Sequence, residues 1–247
     1  MSYLENILNG DDVVWKPLGE ISDIYGGLTG KSKVDFENGN AKYISYKNIF
    51  FNLNVKYSIL ETVKISESEN QHEVKYGDIM FTGSSETAEE VGMSSAFTTN
   101  IDEPVYLNSF SFGVRFNEEI QLIPEFSKYL FRSKFMRKEI SKTASGVTRY
   151  NVSKAKFKKL NIPIPPLSVQ KEIVRILDNF TELTAELTAE LTAELTARKK
   201  QYIFYREQFF GFNDVQVKSE PLGVIGEFQR GKRFVKDDLI SEGVPCI

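Results

Sequence analysis

Between Pro166 and Gly211 the chain contains neither proline nor glycine, the two residues that most often break a helix. Pro165-Pro166 sets a hard start, because proline withdraws a backbone donor and restricts the residue before it, and Ser168 can cap a new helix. Forty-odd helical residues at ~1.5 Å each make a rod of roughly 60 Å, too long to be buried against one small domain. Such a helix needs a partner helix. Its middle is a literal repeat, Thr184-Ala-Glu-Leu187, Thr188-Ala-Glu-Leu191 and Thr192-Ala-Glu-Leu195, flanked by Thr181-Glu-Leu183 and Thr196-Ala-Arg198. At ~100° per residue, leucines four apart advance by ~40°, so the stripe from Leu183 to Leu195 turns by about 120°. The segment is therefore a short spacer and not an extended heptad coil. Apolar positions at Ile173, Leu177 and Phe180 before it, and at Tyr202, Tyr205 and Phe209 after it, extend the pairing face.

Upstream, short β-type runs at Ile21–Tyr25, Lys42–Tyr46, Asp78–Thr82 and Phe110–Phe116 alternate with Gly/Asn/Ser breaks. After Pro124 the spacing of Phe126, Tyr129, Leu130, Phe131 and Phe135 predicts one basic amphipathic helix to about Thr143. A loop over 144–153 and a strand at Leu160–Ile164 come next. The expected fold class is α+β: a mixed, mainly β domain at residues 1–160, a long coiled-coil-forming helix within 161–213, and a last segment at 214–247. That segment opens as the first domain does. Pro221-Leu-Gly223 with Ile225 echoes Pro17-Leu-Gly19 with Ile21, and Gly231-Lys232 and Gly243 follow as Gly30-Lys31 and Gly39 do. So short a piece is not expected to fold alone, and it reads as the start of a second repeat.

With 41% hydrophobic and 26% charged residues the composition is that of an ordinary globular protein. The longest charge-free stretch is eleven residues, too short for a membrane span, and the N-terminus lacks the basic and apolar regions of a secretory signal. The single Cys246 allows no intrachain disulfide, and the reducing cytoplasm is the expected compartment. A net charge of -3 argues at first against nucleic acid. The charge, however, is segregated. Residues 126–160 hold eleven bases against Glu139 alone, a net of +10, which leaves -13 on the remainder. A charge run is ordinarily a solvated face. Eleven like charges this dense repel one another unless a polyanion or another subunit compensates them, and phosphate backbone is the simplest compensator.

Catalytic constellations are sparse. His72, the only histidine, lies in an acidic polar stretch and is expected in an exposed loop. Gly26-Gly-Leu-Thr-Gly-Lys-Ser32 lacks the glycine spacing of a phosphate loop, while Gly226-Glu-Phe-Gln-Arg-Gly-Lys-Arg233 has the spacing but not the Ser/Thr that would hold magnesium. A Gly-rich turn after a strand, presenting Lys31 and Lys33 to a backbone phosphate, suits both copies better. Glu73-Val-Lys75 contains the carboxylate-x-lysine of many nucleases, a tripeptide common by chance.

The run Ala144-Ser-Gly-Val-Thr-Arg-Tyr-Asn-Val-Ser-Lys154, then Leu160-Asn-Ile-Pro-Ile-Pro-Pro-Leu167 and Gln170-Lys-Glu-Ile-Val-Arg-Ile-Leu-Asp178, resembles a junction in type I restriction-modification specificity subunits, where a target-recognition domain meets a conserved helix. The Thr-Ala-Glu-Leu repeats resemble those of the type IC subgroup, and the two Pro-Leu-Gly segments the starts of the family's two recognition domains. Members usually carry two recognition domains and two helices in one chain, so this chain resembles half a subunit. The resemblance implies a recognition domain at 1–160, a docking helix at 161–213 and the start of a second recognition domain at 214–247. Two copies are then expected to pair as a homodimer through residues 168 to 210, reading a bipartite palindrome.

The resemblance further implies a non-catalytic subunit that reads double-stranded DNA. It would dock methyltransferase subunits that methylate adenine and, through them, restriction subunits. S-adenosylmethionine, ATP and magnesium are expected on those partners, with no cofactor or metal on this chain and no membrane association. DNA contact is expected from Lys31, Lys33, Thr82, Ser84, Ser85, Thr148, Arg149, Tyr150, Asn151 and Lys154. Arg149 suits a guanine edge and Asn151 an adenine edge, though either could touch phosphate. The subunit interface is expected from Ile173, Leu177, Phe180, Leu183, Leu187, Leu191, Leu195 and Tyr202. Two other readings stand beside this one: a coiled-coil DNA-binding adaptor without a restriction-modification role, and a nucleotide-binding enzyme with a degenerate phosphate loop.

Overall fold

The computed structural model describes residues 7, 8, 10–212, 216 and 218–231. Lys232, Gly243 and Cys246 lie outside the described residues. The chain divides into two compact units, Met1–Thr184 and Ala185–Ile247. In the first unit the strands are β1 (Val14–Pro17), β2 (Ser22–Gly26), β3 (Ala41–Ile44), β4 (Glu61–Val63), β5 (Ile79–Thr82), β6 (Ser84–Ser85), β7 (Ser94–Ala96), β8 (Val105–Leu107), β9 (Ser111–Phe116), β10 (Ala144–Ser145), β11 (Tyr150–Val152) and β12 (Asn161–Ile164). They form an antiparallel sheet in the order β2-β9-β5-β7, two three-stranded sheets, β4-β3-β8 and β10-β11-β6, and the pair β1-β12. The helices are α1 (Leu18–Ile21), α2 (Tyr46–Phe51), α3 (Pro124–Leu130), α4 (Lys134–Lys142), α5 (Lys154–Phe157), α6 (Leu167–Phe210) and α7 (Leu222–Ile225). Sheets followed by one long helix agree with the expected class.

Strand β5 explains how the domain holds two cores. All four of its residues are buried, and their alternation sends Ile79 and Phe81 into one apolar cluster and Met80 into another. In the first cluster the Phe81 ring packs on Phe112, Phe131 and Phe157 at centroid distances of 5.4, 5.1 and 5.0 Å, joining β5, β9 and the two helical segments. In the second, Met80 meets Ile44, Ile49, Val105 and Leu107 from the parallel pair β3 and β8 and from α2.

Asp78, placed by its sequence at the head of a strand, is instead a buried clamp just before β5. Its carboxylate accepts from Tyr25 Oη at 2.6 Å, from Arg115 Nε at 2.8 Å and Nη2 at 2.6 Å, and from the Lys75 amide at 2.8 Å. Four donors on one buried carboxylate offset its desolvation and tie β2, β5 and β9 together.

Three expectations are corrected. The predicted strand Lys42–Tyr46 ends at Ile44, whose carbonyl accepts from the Asn108 amide side chain at 3.0 Å, and the chain then turns into α2. The single helix expected from 126 to 143 is two, α3 and α4. The chain breaks at Phe131–Ser133 because Ser133 Oγ accepts from the Met136 amide at 3.2 Å and so starts a new helix. Ser133→Ala is expected to cost about 1 kcal/mol in chemical denaturation, the usual worth of an N-cap; an unchanged midpoint would show that the break does not depend on the cap. The loop expected at 144–153 contains strands β10 and β11. Their turn needs Gly146 at φ +147, where an added Cβ would lie 1.9 Å from the Arg149 carbonyl.

Helix α6 begins at Leu167, one residue before the expected cap, and runs 44 residues, or ~66 Å. In the first unit its start is fixed on the mainly β domain. The buried Gln170 amide accepts from the Ile123 amide at 3.0 Å and donates to the carbonyls of Gln121 at 2.7 Å and Pro165 at 2.8 Å. Asp178 accepts from Lys128 Nζ at 2.7 Å and Tyr129 Oη at 2.6 Å.

The Pro-Leu-Gly recurrence is also a recurrence of conformation. Pro17 (φ -60°, ψ 133°) precedes α1, which closes on an extended Ser22 (φ -156°). Pro221 (φ -60°, ψ 141°), in the second unit, precedes α7, which closes on an extended Gly226 (φ -158°). Leu18 and Ile21 are buried, whereas Leu222, Val224 and Ile225 are exposed.

Candidate nucleic-acid interface

Two of the three segments expected to contact DNA are far apart in sequence and adjacent in space. Strand β6 pairs antiparallel with β11, Ser84 opposite Asn151 and Ser85 opposite Tyr150. The sequence allows this because Ser84 and Ser85 are small and follow Gly83, at which an added Cβ would lie 2.7 Å from the Phe110 carbonyl. Two adjoining clefts result. One, of ≈ 540 Å³, is lined by Tyr46, Ser84, Ser85, Glu86, Glu90, Phe110, Thr148 and Arg149. The other, of ≈ 560 Å³, shares Ser84, Phe110 and Arg149 and adds the Gly26–Thr29 turn, Asn151 and Lys154.

Arg149 is the hinge between them. Its Nε and Nη2 donate to Ser84 Oγ at 3.0 and 2.8 Å, and its guanidinium lies 6.0 Å from the Phe110 ring centroid. Phe110 is itself 64% exposed, an aromatic platform at the mouth. Tyr46 Oη donates to the Ser84 carbonyl at 2.9 Å, and Lys154 Nζ lies 5.9 Å from the Phe112 ring. Such a surface offers cationic donors, hydroxyls and π-faces, the groups that meet phosphates and base edges.

Of the ten residues expected at DNA, Ser84, Ser85, Thr148, Arg149, Asn151 and Lys154 line these clefts, and Tyr150 is in the strand that builds them. Three are placed otherwise. Thr82 is fully buried, its Oγ1 accepting from the Met93 amide at 2.9 Å. Lys31 is half-buried, its side chain paired with Glu69 and donating to the Lys64 carbonyl at 2.6 Å. Hydrogen bonds from Lys31, then Gln71 and the Ser66 amide, hold the Glu69 carboxyl down at about 2. Lys33 is exposed on the 3₁₀ turn Lys33–Phe36 and lines neither cleft. Tyr46, Phe110 and Glu90 are lining residues that sequence reasoning missed. An aromatic flanked by serines in Asn108-Ser-Phe-Ser111 is the one signal that could have marked Phe110.

The basic window is also sorted by the fold. Arg132 donates to the carbonyls of Ser94 at 2.7 Å and of Ile49 and Phe50 at 2.8 Å. Arg137 donates to those of Gly92 and Val91 at 2.5 Å and of Glu89 at 2.9 Å. Burial, and secondarily the charge of Arg132, pulls the Arg137 guanidinium down to about 10. With Lys128 on Asp178, three of the eleven bases hold the domain together. Lys134, Lys138, Lys142, Arg149, Lys154, Lys156, Lys158 and Lys159 remain exposed.

On α6, Ile173 is half-buried against the domain's own core, and Leu177 is half-buried. Phe180 and Leu183 in the first unit, and Leu187, Leu191, Leu195 and Tyr202 in the second, are exposed. Among the described residues no helix is long and apolar enough to cross a membrane.

Residues 10–197 match the family described as type I restriction modification DNA specificity domain. The chain belongs to this family. It is 32% identical to S.HindORF215P of Haemophilus influenzae over 98% of this chain and 57% of that one. It is 31% identical to the type I restriction enzyme EcoprrI specificity subunit of Escherichia coli over 98% of this chain and 61% of that one. The chain thus spans about three fifths of the length of these relatives. A solved chain, from work on complex assembly and conformational transition of the type I R-M system, shares the fold with a TM-score of 0.54 and 21% identity, over 80% of this chain and 48% of that one. As a specificity-domain family member, the chain carries its exposed bases and paired clefts in the matched region.

Proposed function

We propose that this specificity-domain protein is the DNA-reading, non-catalytic subunit of a type I restriction-modification complex. The observation that carries the reading is the pairing of β6 with β11, which joins two expected DNA loops into one cationic, hydroxyl-rich surface around Arg149. The recognition domain binds one half of a bipartite duplex target. The exposed leucine row from Leu183 to Leu195 pairs with the same row of a second copy, giving a two-fold assembly that reads a palindrome. Methyltransferase subunits dock on that assembly and bring the restriction subunits. S-adenosylmethionine, ATP and magnesium belong to those partners.

The test is to co-express the chain with its methyltransferase subunits and map methylated adenines. Methylation confined to one split, palindromic sequence is the expected result. Methylation without sequence preference, or no DNA affinity in the assembled complex, would overturn the DNA-reading role. Leu187→Glu with Leu191→Glu is expected to shift the chain from dimer to monomer in light scattering while the recognition domain stays folded.

A further inference from the structure

The clefts around Arg149 contain a feature that phosphate binding does not explain. Glu86 and Glu90 line the same cleft as Arg149, and carboxylates facing a DNA backbone are repelled by it. A DNA-facing carboxylate is favourable where it meets a donor, and the base edges supply exocyclic amino groups. The two acids are not equivalent. Glu90 Oε2 accepts from Thr87 Oγ1 at 3.0 Å and from Ser85 Oγ at 3.4 Å, which fixes the carboxylate and leaves Oε1 without a partner among the described residues. Glu86 has no such anchor there.

Arg149 is fixed in the same manner. Nε and Nη2 are held by Ser84 Oγ and the guanidinium rests near the Phe110 face, leaving Nη1 to a ligand. Arg149 and Glu90 share a cleft, yet among the described residues they form no ion pair with each other. Ser84 and Ser85, the anchors of the two side chains, are consecutive residues of β6. One cleft therefore holds both a fixed cationic donor and a fixed anionic acceptor. On its major-groove edge a G·C pair carries the complementary set, with acceptors at guanine O6 and N7 and a donor at cytosine N4.

We propose that Arg149 and Glu90 together read one G·C pair of the half-site, Arg149 donating to the guanine and Glu90 accepting from the cytosine amino group. This rests on the DNA-reading function proposed above. The pair acts as a unit, so its two members specify the same base pair rather than neighbouring ones.

The test uses the full chain assembled with its methyltransferase subunits, offered duplexes with a randomised half-site, and reads the methylated products by sequencing. Both residues are exposed, so Glu90→Gln and Arg149→Ala leave the fold intact. Glu90→Gln keeps an acceptor for Ser85 and Thr87 but suits adenine rather than cytosine. The cytosine preference at one position is expected to fall roughly tenfold or more, with adenine rising there. Arg149→Ala is expected to relax the guanine preference at that same base pair, the other positions keeping theirs. Effects at two different positions, a uniform loss across all sequences, or an unchanged profile would each overturn the proposal while leaving the subunit a DNA reader. A wild-type complex with no sequence preference would overturn the function itself.

Discussion

Deleting Thr188–Leu191 is expected to shorten the spacer between the two half-sites by a whole number of base pairs and to leave both half-sites unchanged. The deletion removes one full repeat, so the helix re-forms its local bonds. Thr192 Oγ1 donates to the Thr188 carbonyl at 2.7 Å and Thr196 Oγ1 to the Thr192 carbonyl at 2.8 Å. Without residues 188–191, Thr192 meets Thr184 four positions back, the same chemistry at the same spacing. The change is one of geometry: the rod loses ~6 Å and turns by ~40°. One base pair rises ~3.4 Å and, at 10 to 10.5 per turn, rotates by roughly 35°. Rotation corresponds to about one base pair and translation to nearly two, and an oblique helix or a bent duplex absorbs the difference. Methylation mapping of the deleted protein decides it. An unchanged spacer would sink the ruler role of the repeat, and an altered half-site would mean that the helix also shapes the recognition surface.

Arg132→Ala and Arg137→Ala are each expected to destabilise the mainly β domain by about 2–4 kcal/mol, through lost charge-assisted bonds and carbonyls left without partners. Lys134→Ala and Lys138→Ala, in the same helical stretch, are expected to stay within ~0.5 kcal/mol of the parent. Each guanidinium takes several carbonyls at once: Arg132 reaches Ile49, Phe50 and Ser94, and Arg137 reaches Glu89, Val91 and Gly92. The two lysines point to solvent. Denaturant titration of the four variants measures the contrast. Their DNA phenotypes should invert it, since only the exposed lysines can neutralise phosphate, each lowering the salt dependence of binding by about one counterion. Four equal stabilities would mean that the carbonyl cages contribute nothing net.

The same arginines mark the limit of local sequence pattern. A base count sees eleven equivalent cations between Phe126 and Leu160. Only tertiary packing turns Arg132 inward onto β7 and α2 and Arg137 onto the Glu89–Gly92 segment, contacts that join residues some forty to eighty positions apart. Lys31 departs from its expected place at DNA for a similar reason. Its partner Glu69 comes from a loop whose distance in space no local pattern encodes. The cleft itself obeys the rule from the other side: those of its residues that were expected lie in two loops legible in the chain, but their adjacency depends on the register of β6 against β11.

The sequence by itself determined local structure. The absence of proline and glycine, the Thr-Ala-Glu-Leu period and the diproline stop fixed the long helix to within a residue or two, because helix formation is governed by neighbours three and four apart. Short β-type runs bounded by Gly, Asn, Ser or Pro located strands β2, β5, β9 and β12, since strand preference and chain breaks are local properties. Pro-Leu-Gly set the same extended-then-helical conformation at residues 17 and 221, because proline fixes its own φ wherever it stands. Tertiary structure alone decided which charges are free, which strands are neighbours and which acid faces Arg149's cleft. Those outcomes depend on long-range packing, where a buried guanidinium must find carbonyls and a strand edge must find its partner, and neither requirement names its solution in the chain.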